Sequence, residues 1–213
     1  MIRHAITASV LVGALGGALA LSFSAGRATA PANAALASQP EGMPGPEEIK
    51  AMMAQTAAMA PEHDRLKELV GLWNAKMNFL VAPGAPPETS QVKAEIKPVL
   101  GGRYVQLHYK GIFTYMGAEI DFEGLGMIGY DKAAGHYISA WGDNLSTSML
   151  IETGPYKDGA IDIEGSMTDA MGGQTTMRHR HIINDDGSYT LEFYQPGPTG
   201  EMMKIGWIEH TKD

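Results

Sequence analysis

FEGLGMIGYDKAAGHYISAWGDN, spanning Phe122 to Asn144, admits two incompatible structures. Gly124, Gly126 and Gly129 spell G-x-G-x-x-G, which in a dinucleotide-binding turn must open a helix whose N-terminus faces the pyrophosphate. The same residues can instead form the first strand of a β-hairpin. The residues beyond Gly129 separate the two. Asp131 suits the first position of a turn, and Gly135 can take the positive φ needed at the end of a longer hairpin loop. Past the turn, Tyr137, Ser139 and Trp141 alternate with Ile138 and Ala140, the period of a strand rather than of a helix. No helix comes after the glycines, so the nucleotide reading lacks its context. Gly124 and Gly126 are then expected on one face of a strand, where the wall bends or another backbone comes close.

The same alternation continues on both sides of the hairpin. Upstream, Trp73, Ala75, Met77, Phe79 and Val81 face one way while Asn74, Lys76 and Asn78 face the other, and Val92, Ala94 and Ile96 oppose Lys93, Glu95 and Lys97. Further strands are expected over 103–113, 118–130, 136–143, 148–153, 160–167, 175–183, 188–194 and 202–211. Turn signals such as Lys157-Asp158-Gly159, Asn184-Asp185-Asp186-Gly187 and Pro196-Gly197-Pro198 divide the later ones. About ten short strands at hairpin spacing predict an all-β fold, a single antiparallel up-and-down barrel whose closure removes exposed sheet edges. A short helix precedes it, with Pro61 at its start, Leu66, Leu69 and Val70 on one face, and Gly71 placed to end it.

Three segments result. Residues 1–34 read as a signal peptide: Arg3 and His4 form a basic start, Ala5 to Ala25 carries no charge, and Ala32-Asn33-Ala34 offers a small-x-small cleavage site. Ala28-Thr29-Ala30 is a second such site, disfavoured by the proline next to it. The alternative is an uncleaved membrane anchor, since the uncharged run is long enough to span. Residues 35–60 form a Met/Ala-rich linker or helical arm, in which Pro46-Glu47-Glu48 starts a helix through Met52, Met53 and Ala57. Residues 61–213 form the barrel domain. The chain has no cysteine, so an exported form has no disulfide framework and rests on its own core. Cleavage after Ala34 leaves 14 basic against 24 acidic residues, a surface that repels nucleic acid and anionic membranes. The expected location is the periplasm or the exterior, with no stable membrane insertion after cleavage.

Gly71-Leu72-Trp73, a G-x-W opening the first strand, looks like the start of a calycin barrel, the lipocalin and fatty-acid-binding superfamily. After it come Leu100-Gly101-Gly102-Arg103-Tyr104, Gly126-Met127-Ile128-Gly129-Tyr130-Asp131, Tyr137 with Trp141 and Asp143, and Lys204-Ile205-Gly206-Trp207-Ile208-Glu209. In this order, from about Glu62 to the C-terminus, the chain resembles a bacterial family catalogued as domain of unknown function 1579. The resemblance implies a calycin-like barrel and brings no established activity. One feature departs from it. Such barrels often lay a last-strand arginine over the first-strand tryptophan, whereas the last strand here carries His210-Thr211-Lys212, so Lys212 is expected over Trp73 as a cation–π contact without guanidinium stacking.

The densest polar stretch is Met177-Arg178-His179-Arg180-His181, which puts His179 and His181 on one face of a strand and Arg178 and Arg180 on the other. If the arginines face inward, they hold the anionic end of a small apolar or amphipathic ligand by charge-assisted bonds, with Trp141 and Tyr109 or Tyr104 in the wall. If the histidines face inward, they can bind zinc or copper, provided His108, His136 or an acid supplies a further ligand. Alternation does not decide between the faces. Asp121 with Glu123, and Asp162 with Glu164, are expected outside as solubility residues. No G-x-S-x-G, H-E-x-x-H, P-loop or C-x-x-C occurs, and no cofactor is indicated. A small-ligand carrier or sensor is the leading expectation. The alternatives are a metal-binding or metal-dependent enzyme built on His179 and His181, and an envelope interaction protein with a filled barrel and a working Met-rich arm.

Overall fold

In the computed structural model, which describes residues 44–82, 84–169 and 171–213, helix gives way to strand at Gly71. The expected signal peptide and the linker up to Met43 lie outside the described residues. Helix α1 covers Pro46–Ala57 and buries none of its side chains. The chain divides into two units after Lys50, within α1, and the second unit, Ala51–Asp213, carries the end of that helix and every strand. Among the described residues no helix is long and apolar enough to cross a membrane. A 3-10 turn at Pro61–His63 leads into α2, Asp64–Glu68, which buries Leu66.

Eleven strands come next: β1 Gly71–Phe79, β2 Glu88–Val99, β3 Tyr104–Tyr115, β4 Ala118–Asp131, β5 His136–Asp143, β6 Leu150–Gly154, β7 Tyr156–Lys157, β8 Ala160–Thr168, β9 Gln174–Ile183, β10 Tyr189–Pro196 and β11 Met202–Lys212. Ten of them close an antiparallel ring. Each pairs with its neighbours, β11 returns to β1, and β6 pairs with β8 across a short seam, Ile151–Thr153 against Glu164–Ser166. The exception is β7, a two-residue strand that pairs with β8 around Asp158-Gly159. Both of those residues have positive φ (49° and 77°), the geometry of a two-residue primed turn, so a pattern expected only as a turn also makes its own short hairpin.

The glycine-rich stretch is the β4–β5 hairpin, with Tyr130 opposite Tyr137 and Gly126 opposite Trp141. What presses closest on Gly124 and Gly126 is an indole. A Cβ on Gly124 would stand 2.6 Å from Trp141 Cη2, and one on Gly126 2.7 Å from Trp141 Cε3. These two positions have no side chain because the Trp141 ring lies across them inside the barrel.

The core is densest at the α2 end. Trp73, Leu66, Leu69, Ile96 and Tyr189 are each at most 1% exposed there, and the Trp73 indole donates to the Leu69 carbonyl at 3.0 Å. Lys212 lies over Trp73 as expected, its Nζ 3.8 Å from the ring centroid. The Tyr137 hydroxyl donates to the Glu62 carbonyl at 2.9 Å, tying the helical segment to the wall. Lys132 donates to the carbonyls of Gln55 and Ala58, and Arg103 to that of Ala57, so two cations satisfy acceptors that the end of α1 leaves free.

Candidate functional site

Away from α2 the inward side chains do not meet across the ring, and a cavity of about 250 Å³ remains. Its walls are mostly apolar. Phe79 packs against Phe113 and Phe193 at centroid distances of 5.4 and 5.3 Å, and Tyr109 meets Trp141 edge-on at 5.6 Å. Asp143 accepts from the Trp141 indole at 3.0 Å and from the Leu145 backbone at 3.0 Å, which sets the orientation of the ring.

Polar groups gather on one side of this cavity because β9 turns His179 and His181 inward. His179 Nδ1 lies 2.9 Å from Glu152 Oε2, and Phe193 packs edge-on against the imidazole at 4.8 Å. Glu152 comes from β6, at the seam, and is 1% exposed. Its second oxygen, Oε1, and His179 Nε2 are both buried without a protein partner among the described residues, although both side chains line the cavity. Buried polar atoms in this condition are rare and costly, because each has given up water without a replacement bond.

Beneath this pair lies a second network. His210 Nδ1 donates to the Tyr189 carbonyl at 2.9 Å, which fixes its tautomer, and Nε2 accepts from the Tyr109 hydroxyl at 2.8 Å. The Tyr189 hydroxyl and His181 Nδ1 share a hydrogen bond at 2.6 Å, and the Tyr189 ring stacks on His210 at 4.2 Å. Burial pushes His210 down to about 4 and, with the neighbouring His179 and His210, pushes His181 down to about 3. Burial also raises both tyrosine hydroxyls well above their usual range. His181, His210, Tyr109 and Tyr189 are therefore uncharged near neutral pH, held by hydrogen bonds and ring stacking.

The predicted residues divide between the two faces of the wall. Trp141 and Tyr109 line the cavity. Tyr104 does not: it covers Gly129, its cross-strand partner, on the outer face. Arg178 and Arg180 are outside as well, and the reason lies on the adjoining strands. Arg178 makes a bidentate pair with Asp162 at 2.7 and 2.5 Å, while Arg180 donates to Glu192 at 3.2 Å and to the Asp158 carbonyl at 3.2 Å. Lys204 and Tyr194 complete the shell around Glu192. Asp162 is thus more than a solubility residue; it is 8% exposed beneath the guanidinium groups.

The histidine pair does not gather the further ligands a metal needs. His108 sits outside with Glu123 at 2.8 Å, His136 opens β5 beside the hairpin turn, and among the described residues no three His, Asp or Glu side chains converge as a cation site. The residues that sequence reasoning missed are Glu152, Tyr189 and His210. His210 carries a signal: it continues the inward alternation of Gly206 and Ile208 on β11. Glu152 carries the opposite of one, since it faces inward while Ile151 beside it is exposed.

A family model described as "Protein of unknown function (DUF1579)" matches residues 58–212. No curated protein matches the chain.

Proposed function

The chain belongs to this family, which supplies no activity, and we propose from the site itself that the barrel binds one small amphipathic molecule in its interior. The observation that carries the proposal is an apolar cavity with two unpartnered buried polar atoms on the side chains of its wall. Its volume of about 250 Å³ falls just below the ~300–1,000 Å³ usual for drug-sized ligands, so the occupant is a compact molecule or one end of a longer one. Phe79, Phe113, Phe193 and Trp141 would bury its apolar body, and Glu152 with His179 would meet its polar end. An anionic end has lost its motive, because among the described residues the cavity wall holds the acids Asp143 and Glu152 and no lysine or arginine.

We also propose that this binding takes place outside the cytoplasm. The uncharged run behind Arg3 and the site at Ala32-Asn33-Ala34 support this, and N-terminal sequencing of the protein from its native cells tests it, with Ala35 expected first.

Binding is tested by titrating the purified protein with six- to ten-carbon amphiphiles and reading native mass spectra and thermal unfolding. A ligand at about 100 times its Kd should add about 2.7 kcal/mol of stability. Filling the cavity with Leu107→Phe and Ser139→Leu should abolish the effect while leaving the fold intact. Absence of any bound species or stabilisation at millimolar ligand would refute the proposal.

A further inference from the structure

We infer, resting on that ligand-binding reading, that the cavity selects a neutral head group able both to donate and to accept a hydrogen bond, an alcohol or a primary amide, and rejects carboxylates. The selection rests on two atoms left over when Glu152 Oε2 and His179 Nδ1 engage each other at 2.9 Å: Glu152 Oε1 and His179 Nε2, both buried without a partner among the described residues. Oε1 is a carboxyl oxygen that can accept, and Nε2 donates or accepts according to the tautomer of the ring.

A head group entering here needs a hydrogen for Oε1. An ether or ketone has none to give. A carboxylate has none either, and it brings an anion to a wall that carries the acids Glu152 and Asp143 and, among the described residues, no lysine or arginine. An alcohol or a primary amide can satisfy both atoms, removing the burial cost that each now carries. Elsewhere on the wall Tyr109 donates to His210, Asp143 accepts from Trp141 and Leu145, and His181 is bonded to Tyr189 through Nδ1.

The test uses four probes with one apolar body: hexan-1-ol, hexanamide, hexyl methyl ether and hexanoate, titrated calorimetrically into the purified protein at pH 7.5. The alcohol and the amide should bind at least about 10-fold tighter than the ether and about 100-fold tighter than hexanoate. In the double variant Glu152→Leu, His179→Phe, which replaces the pair with apolar groups, the preference for alcohol over ether should shrink to within about 2-fold. If that variant does not fold, the series on the unaltered protein decides by itself. Hexanoate binding as tightly as hexan-1-ol overturns the inference, as does an alcohol preference that survives the double substitution. Equal binding of all four probes overturns the inference and leaves the binding proposal standing, whereas no binding by any of them removes both.

Discussion

Acidification within a window above the carboxylate range should weaken this fold through two histidines. His181 and His210 are neutral and buried in the folded protein, where protonation waits until about pH 3 and about pH 4 respectively. In the unfolded chain each titrates near 6.5. Between these values the unfolded chain binds more protons than the folded one, so stability falls as pH falls from about 6.5 toward 4. A gap of one pH unit is worth about 1.4 kcal/mol per group, so moving from pH 7 to pH 5 should cost about 2 kcal/mol for each histidine and about 4 kcal/mol for the two. Urea unfolding at pH 7, 6 and 5 measures this directly. In His210→Gln, which starts from a lower stability because the Tyr109 and Tyr189 bonds are altered, the further loss between pH 7 and pH 5 should drop to about 2 kcal/mol. A loss below about 1 kcal/mol in the natural protein would refute the reasoning, and so would an undiminished loss in His210→Gln.

Gly124→Ala should destabilise the barrel by about 1–3 kcal/mol and shift tryptophan emission, because its methyl group and the Trp141 ring claim the same space; unchanged urea unfolding and fluorescence would contradict that. Arg178→Ala should leave hexan-1-ol affinity unchanged while costing about 1–2 kcal/mol, since it strips Asp162 of its bidentate partner on the outer face; calorimetry and urea unfolding separate the two effects. Tyr109→Phe should cost about 1–3 kcal/mol in urea unfolding by leaving His210 Nε2 buried and unbonded. Lys212→Ala should cost about 0.5–1 kcal/mol in the same assay, and Lys212→Arg should recover it, if the contact over Trp73 is the cation–π interaction its 3.8 Å separation describes.

Strand positions could be read from the chain because alternation and turn chemistry are local: His136–Asp143 and the start of β4 at Ala118 fall where the pattern put them. The position of Lys212 over Trp73 came from the family resemblance, which lays a last-strand cation over the first-strand tryptophan, and the pairing of β11 with β1 supplies it. The face of β9 could not be read. Its two faces carry His179 and His181 or Arg178 and Arg180, and either set is polar enough for the outside. What settles the matter is non-local: the acids at Asp162 and Glu192 on β8 and β10 draw the arginines outward, and the histidines are turned inward with them. Glu152 was invisible for a related reason. A pattern that assigns charge to the solvent face sends it outside, whereas the short β6–β8 seam holds it inside against His179. β7 escaped notice because two residues cannot display a period.

The pairing of β1 with β11 sets a timetable. Gly71–Phe79 finds its second neighbour only in Met202–Lys212, the last of the eleven strands in chain order. A ribosome releasing this protein from its N-terminus therefore holds back β1's second partner until every other strand has been made. Until then β1 has one open edge, and Trp73 lacks the lysine that covers it. Contacts at such sequence separation slow folding, because the loop must be ordered before the pairing rewards it. The interval favours whatever engages the chain first. Aggregation through the unpaired edge has its opportunity then, and, on the export route proposed above, so does a transport channel that needs an unfolded substrate.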